Sequence, residues 1–480
     1  MNKRIILYIL GWVLIIEGIA MQGSTFVGIW YHEHNYIYFL LIGLGLIVLG
    51  LPIVLLKPKN TKMYRKEGFA ATTLSWIVLS LMGALPFYLS KTIPSFVDSF
   101  FEIVSGFTTT GATILTDIEK LDNCMLFWRS FSHWLGGMGV IVFLLALIPK
   151  LGGAQNINLM KAESPGPEVE KSFPSIRKYA LLLYGIYIGL TVLETILLMC
   201  GGMYFFDAVT TSFSTAGTGG FASYNNSIGY FNSYYLQGVI AVFMMLFGVN
   251  FAFYILLIAR KFNKAFRITE IWVYLGIVAV STITIAVNVM KIYGNFFDSI
   301  HQSFFYVSSI ISTTGFAIDN TDKWPEFSKT IIVLLTCIGA CAGSTGGGFK
   351  VSRLMILAKE VKKQFLLIIH PHSVHTIKID GKKISHDTTR SVSVYLMVYM
   401  AITLFSILII SLDGHDFTTN VTSVLATLNN VGPGFSKVGA VGNYSIFSIL
   451  SKLVLCFDMI AGRLEIYPLL LMFMPKAWKK

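Results

Sequence analysis

Charge is what this sequence has least of. Asp, Glu, Lys and Arg make up 13% of its 480 residues, about half the share with which soluble globular proteins cover their cores. A chain this long cannot keep a water-facing surface on that supply, which argues against a cytosolic enzyme and a disordered scaffold alike. Cysteine is scarce too. Cys124, Cys200, Cys337, Cys341 and Cys456 are odd in number and scattered, and the two that stand one helical turn apart lack a His or acidic neighbour. That pattern fits buried small hydrophobes better than a disulfide framework or a zinc site. No GxGxxG fingerprint follows a strand-like segment, so no nucleotide is expected on this chain itself. The net charge of +12 lies in short clusters between apolar runs rather than on one face, so nucleic acid is not the expected partner.

What the chain has in abundance is apolar sequence: 54% of residues are Ala, Val, Ile, Leu, Met, Phe, Trp, Tyr or Cys. A membrane helix needs about 20 such residues to cross roughly 30 Å of hydrocarbon. Runs of that kind fall at 5–30, 36–56, 69–90, 123–149, 179–201, 234–259, 270–293, 328–369, 392–412 and 442–474. The sequence therefore predicts an all-α polytopic membrane protein with ten transmembrane helices. Glu17 and Gln22 interrupt the first run, which reads as a retained helix rather than a signal peptide. The loops 57–66, 150–178, 260–267 and 350–390, with the two termini, hold 28 of the 37 basic residues. By the positive-inside rule those segments are cytoplasmic, as are both termini.

Four connections on the opposite side, 91–122, 202–233, 294–327 and 413–441, are too long and too apolar for turns. Each holds a short amphipathic or aromatic run that ends in Ser, Thr, Asn and Gly. Their terminal glycines, Gly111, Gly220, Gly315 and Gly432, are spaced by 109, 95 and 117 residues, which predicts four pseudo-repeats of helix, pore helix, glycine loop and helix. Two extra helices precede them. The expected boundaries are 1–66 for those two helices, then 67–178, 179–267, 268–390 and 391–480 for the repeats. A short helix that stops inside a membrane leaves carbonyls that lipid cannot satisfy, and its C-terminus carries about half a negative charge. Four such ends facing one axis make a cation site, and glycines beyond them can aim further carbonyls at it. Asp98 and Asp207 lie thirteen residues before their glycines, where a helix N-cap is expected; Asp298 and Asp416 lie about one turn earlier. Small residues that merely pack helices are the competing reading of any single loop.

The residues Ser105-Gly-Phe-Thr-Thr-Thr-Gly111, Thr218-Gly-Gly-Phe221, Ser312-Thr-Thr-Gly315-Phe and Asn429-Asn-Val-Gly432-Pro-Gly-Phe, with His133-Trp-Leu-Gly-Gly-Met-Gly139, Cys341-Ala-Gly-Ser-Thr345 and Gly462-Arg-Leu-Glu-Ile466, are similar to the Trk/Ktr/HKT superfamily of potassium transporters. The chain resembles its TrkH/TrkG branch most, over essentially its whole length. The resemblance implies one potassium pore made by four pseudo-repeats. Its selectivity filter would be Thr109, Thr110 and Gly111; Thr218, Gly219 and Gly220; Thr313, Thr314 and Gly315; and Asn430, Val431 and Gly432. It also implies a homodimer in the bacterial cytoplasmic membrane, with a peripheral nucleotide-binding subunit of TrkA type. The basic loops 57–66 and 350–390 are candidate docking surfaces for that subunit or for anionic lipid.

The eighth run is too long for one crossing and is dense in glycine from Gly339 to Gly348. Each glycine costs a helix about 1 kcal/mol relative to Ala, so a break is expected there. The resemblance makes it an intramembrane gate built from Gly343, Ser344, Thr345, Gly346 and Gly347. Arg463, the basic residue deep in the last run, either faces that loop or pairs with Asp458 or Glu465. His133 and Trp134 read as a close helix contact. Gated potassium uptake leads over a secondary transporter for an organic substrate, which would show inverted repeats and a charged binding residue. An integral membrane enzyme would need convergent His, Asp, Glu or Cys residues, and none are evident.

Overall fold

The computed structural model describes residues 2–58, 64–139, 176–373 and 375–478. Lys62, most of the basic loop 150–178 and residues 140–149 of the predicted span 123–149 lie outside those residues. Among the described residues the fold is built from helices, with one two-stranded hairpin, β1 (Lys378–Ile379) and β2 (Lys382–Lys383).

Helices α1 (Lys3–Trp30) and α2 (Tyr36–Leu55) come first. They run antiparallel at close range, because Gly11 and Gly18 on one face Gly50 and Gly43 on the other, each pair seven residues apart. A Cβ on Gly18 would lie 2.5 Å from the Gly43 carbonyl oxygen, and one on Gly50 would lie 2.7 Å from that of Gly11. Small residues that let backbones approach are the usual basis of helix packing in lipid.

There follow α3 (Arg65–Leu89), α4 (Phe96–Phe107), α5 (Asn123–Gly137), α6 (Ile176–Cys200), α7 (Phe205–Gly217), α8 (Tyr234–Gly248), α9 (Phe251–Ile258), α10 (Thr269–Tyr293), α11 (Phe296–Ile311), α12 (Glu326–Ile338), α13 (Val351–Ile369), α14 (His386–Ile410), α15 (Phe417–Leu428), α16 (Ile449–Arg463) and α17 (Tyr467–Met472). In element order a long helix (α3, α6, α10, α14) precedes a short one (α4, α7, α11, α15) four times. The burial pattern inverts that of a soluble protein. Leu41, Val48 and Leu49 on α2, Val280, Ile283 and Val287 on α10, and Leu404, Phe405 and Leu408 on α14 point outward, while Ser, Thr, Asn and Glu are buried around the short helices.

Among the described residues six helices are long and apolar enough to cross a membrane, namely α1, α2, α3, α6, α10 and α14; the pair α8–α9 makes a seventh if taken as one bent span. Three expected spans differ from their sequence reading. The run 234–259 bends by 90° between α8 and α9, where Asn250 caps α9 by accepting from the Ala252 N–H at 2.9 Å. The run 328–369 breaks between Ile338 and Val351. Its second half, α13, is amphipathic rather than uniformly apolar, since Arg353, Lys359, Glu360, Lys362 and Lys363 interrupt its apolar side chains. The last run starts at Ile449 rather than 442 and breaks after Arg463, where Glu465 and Ile466 take positive φ values of 53° and 68°.

Replacing Gly50 with Leu is expected to force α1 and α2 apart and cost about 1–3 kcal/mol, the usual penalty of overpacking. A lowered thermal unfolding midpoint of the purified protein in detergent checks this.

Candidate functional site

The four short helices begin differently but end alike. Ser95 caps α4, Asn295 caps α11 and Asp416 caps α15, each through its side chain, whereas Tyr204 precedes α7 without a side-chain cap. Asp98, Asp207 and Asp298 therefore sit in the first turn, two residues beyond the helix start, and only Asp416 is an N-cap. Asp98 and Asp207 differ from Asp298 in sequence spacing because α11 is one turn longer than the others. In that first turn their charges still favour the helix dipole, and each is held from outside: Asp98 by Lys452 at 2.6 Å, Asp207 by the Tyr224 hydroxyl at 3.1 Å and Asp298 by the Tyr234 hydroxyl at 2.6 Å.

Each helix ends in a Schellman motif. The amides of Thr110, Gly219, Thr314 and Val431 donate five residues back, to Ser105, Ser214, Ser309 and Ala426, at 2.8–2.9 Å. The amides of Thr109, Thr218, Thr313 and Asn430 donate to the carbonyls of Gly106, Thr215, Ile310 and Thr427 at 2.9–3.1 Å. The motif needs one left-handed residue, and here it is Thr109 (φ 54°), Thr218 (53°), Thr313 (61°) and Asn430 (54°). For a threonine that conformation costs roughly 1–2 kcal/mol, so the surrounding packing holds three strained positions, while Asn430 adopts the region more readily. One residue lies between each of these and a left-handed glycine, Gly111 (φ 82°), Gly220 (80°), Gly315 (82°) and Gly432 (90°). Alternation of left-handed and ordinary φ values turns the carbonyls of neighbouring residues to one side of the strand instead of opposite sides.

The four strands touch in a closed cycle. A Cβ on Gly111 would overlap the Gly219 carbonyl, one on Gly220 that of Thr314, one on Gly315 that of Val431, and one on Gly432 that of Thr110. All twelve sequence-predicted residues lie in this cycle. The middle residues and the left-handed Thr109, Thr218, Thr313 and Asn430 are buried. Side chains add to it: the hydroxyls of Thr108 and Thr110 are 2.8 Å apart, as are those of Ser312 and Thr314, and the Asn430 amide donates to Thr110 Oγ1 at 3.0 Å. Gly217, the rival glycine in the second strand, is the last residue of α7, and a Cβ there would overlap the His133 carbonyl on α5.

The segment between α12 and α13 packs directly beneath. The Gly347 amide donates to Thr313 Oγ1 at 2.7 Å, and a Cβ on Gly346 would lie 2.8 Å from the Ser312 carbonyl oxygen. The break between α8 and α9 supplies part of its seat. Cys341 N–H donates to the Gly248 carbonyl at 3.1 Å, Thr345 N–H to that of Phe247 at 3.4 Å, and Phe251 N–H to that of Gly343 at 3.0 Å. The Ser344 hydroxyl donates to the Cys341 carbonyl at 2.7 Å. Arg463 Nη1 donates to the Thr345 carbonyl at 2.7 Å and Nη2 to the Gly137 carbonyl at 2.6 Å. Of its two acidic candidates, Glu465 pairs with Arg353 and Asp458 accepts from the Ser406 hydroxyl at 2.8 Å.

Three features went unread in the sequence. Lys350 bonds its ammonium back to the Gly346 carbonyl. Glu270 at the start of α10 accepts from the amides of Ala342 at 2.7 Å and Ser352 at 3.1 Å, and so holds both ends of the segment. Glu102 and Arg129 form a fully buried ion pair; intramembrane charge was the available signal, but the partners lie 27 residues apart in different helices.

A family model described as TrkH, Cation transport protein, matches residues 39–480. The Trk system potassium uptake protein TrkH of Salmonella typhimurium is 36% identical over 420 residues, covering 86% of each chain. The Escherichia coli Trk system potassium uptake protein TrkG is 31% identical over all of this chain and 99% of its own. The crystal structure of the potassium transporter TrkH from Vibrio parahaemolyticus superposes with a TM-score of 0.89 over the full length of both chains, at 30% identity. A match of this extent in both sequence and backbone places the chain in the TrkH family of cation transport proteins, to which it belongs.

Proposed function

We propose that this protein is the membrane subunit of a Trk-type system and takes up potassium through a gated pore in the bacterial cytoplasmic membrane. The observation that carries this is the closed cycle of four helix-end loops, each presenting carbonyls from alternately handed backbone. A dehydrated cation on the axis would exchange water oxygens for those carbonyls, and the four helix C-termini would add their partial negative charge. It is a transport protein rather than an enzyme, and K+ is its cargo. The filter would consist of Thr109, Thr110, Gly111, Thr218, Gly219, Gly220, Thr313, Thr314, Gly315, Asn430, Val431 and Gly432, contributed by the repeats 67–178, 179–267, 268–390 and 391–480, with 1–66 as two additional helices. Broken segments complete ten crossings, with both termini cytoplasmic.

The segment Gly343–Gly347 would be the gate. Its contacts with Ser312 and Thr313 put it directly under the strands, and a run of small residues has few side chains to fix one conformation. Arg463 would hold the blocked form, since a guanidinium offers five donors to carbonyls, and its charge would repel a cation leaving the filter in a medium of low dielectric. A second copy of the chain, a TrkA-type nucleotide-binding subunit and anionic lipid on the basic cytoplasmic loops complete the proposed assembly.

Flux from liposomes containing the purified chain, compared for potassium, sodium and choline, tests the reading as a whole; equal rates for all three would refute it. Gly315→Ser is expected to raise sodium permeation relative to potassium by about tenfold, the ratio that roughly 1.4 kcal/mol of lost discrimination produces. Gly220→Ser should act in the same way, whereas Gly217→Ala should act on stability through its contact with α5. Arg463→Ala should raise flux and weaken its dependence on a cytoplasmic partner while potassium remains preferred; unchanged flux in folded protein would make the segment a hinge only. A single cysteine at Lys382, in a background without native cysteines, should react with an impermeant thiol reagent from the cytoplasmic side alone.

A further inference from the structure

Helix α5 carries two polar residues one turn apart, Arg129 and His133, on the face toward the first two strands. Both are buried. Arg129 Nε donates to Glu102 Oε1 at 2.9 Å, Nη1 to the Ala222 carbonyl at 3.3 Å and Nη2 to Thr113 Oγ1 at 3.5 Å. Its guanidinium carbon lies 4.1 Å from the centre of the Phe221 ring. Glu102 in turn accepts from the Thr113 hydroxyl and the Ile114 amide, both at 3.0 Å. The pair therefore grips the residues that follow Gly111 and Gly220.

His133 grips the same two strands one turn further on. Its Nε2 accepts from the Phe221 amide at 3.2 Å, which leaves Nδ1 as the protonated nitrogen, and Nδ1 donates to the Gly106 carbonyl at 2.6 Å. A neutral imidazole with one donor and one acceptor thus ties the end of α4 to the strand that follows α7. Gly219 has a separate explanation in this contact. It is the glycine at a middle position where the other strands carry Thr110, Thr314 and Val431, and a Cβ there would overlap the imidazole. Tyrosines brace the third and fourth strands: the Tyr306 hydroxyl donates to the Asp319 carbonyl and accepts from the Asp319 amide, and the Tyr444 hydroxyl donates to the Gly432 carbonyl.

We propose that Arg129 and His133, with Glu102, are positioning residues that set ion discrimination by fixing the spacing of the first and second filter strands. The inference rests on the filter reading above. The charged pair and the imidazole do not meet the ion. They hold the backbone whose carbonyls do, and they do so on one side of the pore, so relaxing them widens two strands while the other two stay in place. Removing one partner of a buried ion pair leaves an uncompensated charge, and the strand relaxes toward it.

The test is the ratio of potassium to sodium permeation in liposomes, a property of each conducting molecule that does not depend on how many are folded. Glu102→Gln and His133→Phe should each lower that ratio by roughly three- to tenfold, the effect of about one buried hydrogen bond. His133→Gln, whose amide supplies both a donor and an acceptor, should keep it. If Glu102→Gln does not fold, the two His133 variants carry the comparison. Gly315→Ser, on the opposite side of the cycle, is measured alongside. A changed ratio in Gly315→Ser with unchanged ratios in Glu102→Gln and His133→Phe would overturn the inference alone; an unchanged ratio in Gly315→Ser would overturn the filter reading and the inference with it. Equal loss in His133→Gln and His133→Phe would also count against it, because ring packing rather than hydrogen bonding would then be the cause.

Discussion

A backbone carbonyl in hydrocarbon must find a donor within the protein, and this requirement organises the whole molecule. An unbroken helix meets it internally; a helix that stops in the membrane does not. This chain stops its helices repeatedly, and the ends are satisfied by one another. Carbonyls at the end of α8 accept from the segment between α12 and α13, that segment's Thr345 carbonyl accepts from Arg463 at the end of α16, and Arg463 also reaches the end of α5. The last carbonyls of the four short helices accept from their own Schellman amides. The carbonyls beyond them, at the middle of each strand, lie against the glycine of the neighbouring strand around the cycle, and in the proposed filter a cation would be their partner.

The repeated features were legible from the sequence. Gly111, Gly220, Gly315 and Gly432 stood out through recurrence, since each alone would pass for a packing glycine. Their positive φ values follow from what only glycine adopts readily. The left-handed Thr109, Thr218 and Thr313 were not legible as such, because threonine is a poor candidate for that region and only the helix end, with its burial, forces it there. The helix starts misled for a related reason: Asp is the favoured cap, but Ser95 lies three residues before Asp98 and caps α4, and Tyr204 precedes α7 without a side-chain cap, leaving Asp98 and Asp207 in the first turn.

Other features escaped because they are non-local. The bend between α8 and α9 lies in Gly248-Val-Asn250, which contains no proline, and the segment from α12 to α13 bonds to the backbone on both sides of it. The run 328–369 was read for glycine and not for charge, so the amphipathic α13 was counted as membrane. Glu102 and Arg129 look like isolated intramembrane charges until α4 and α5 bring them together. The same holds for Arg463, where three partners were conceivable and the carbonyls of Thr345 and Gly137 are the ones the fold supplies.

The cycle of four strands has a seam where the end of the chain meets its beginning. Across it, Asn430 bonds to Thr110, Tyr444 N–H donates to the Thr113 carbonyl at 2.8 Å, and Lys452 pairs with Asp98. These contacts span more than three hundred residues, so during synthesis the first strand is inserted long before its neighbour exists. The half-built protein holds three helix ends without a fourth to close on. Closure of the seam therefore waits for the last repeat, and the cycle of strands is complete only once the end of the chain has folded against its beginning.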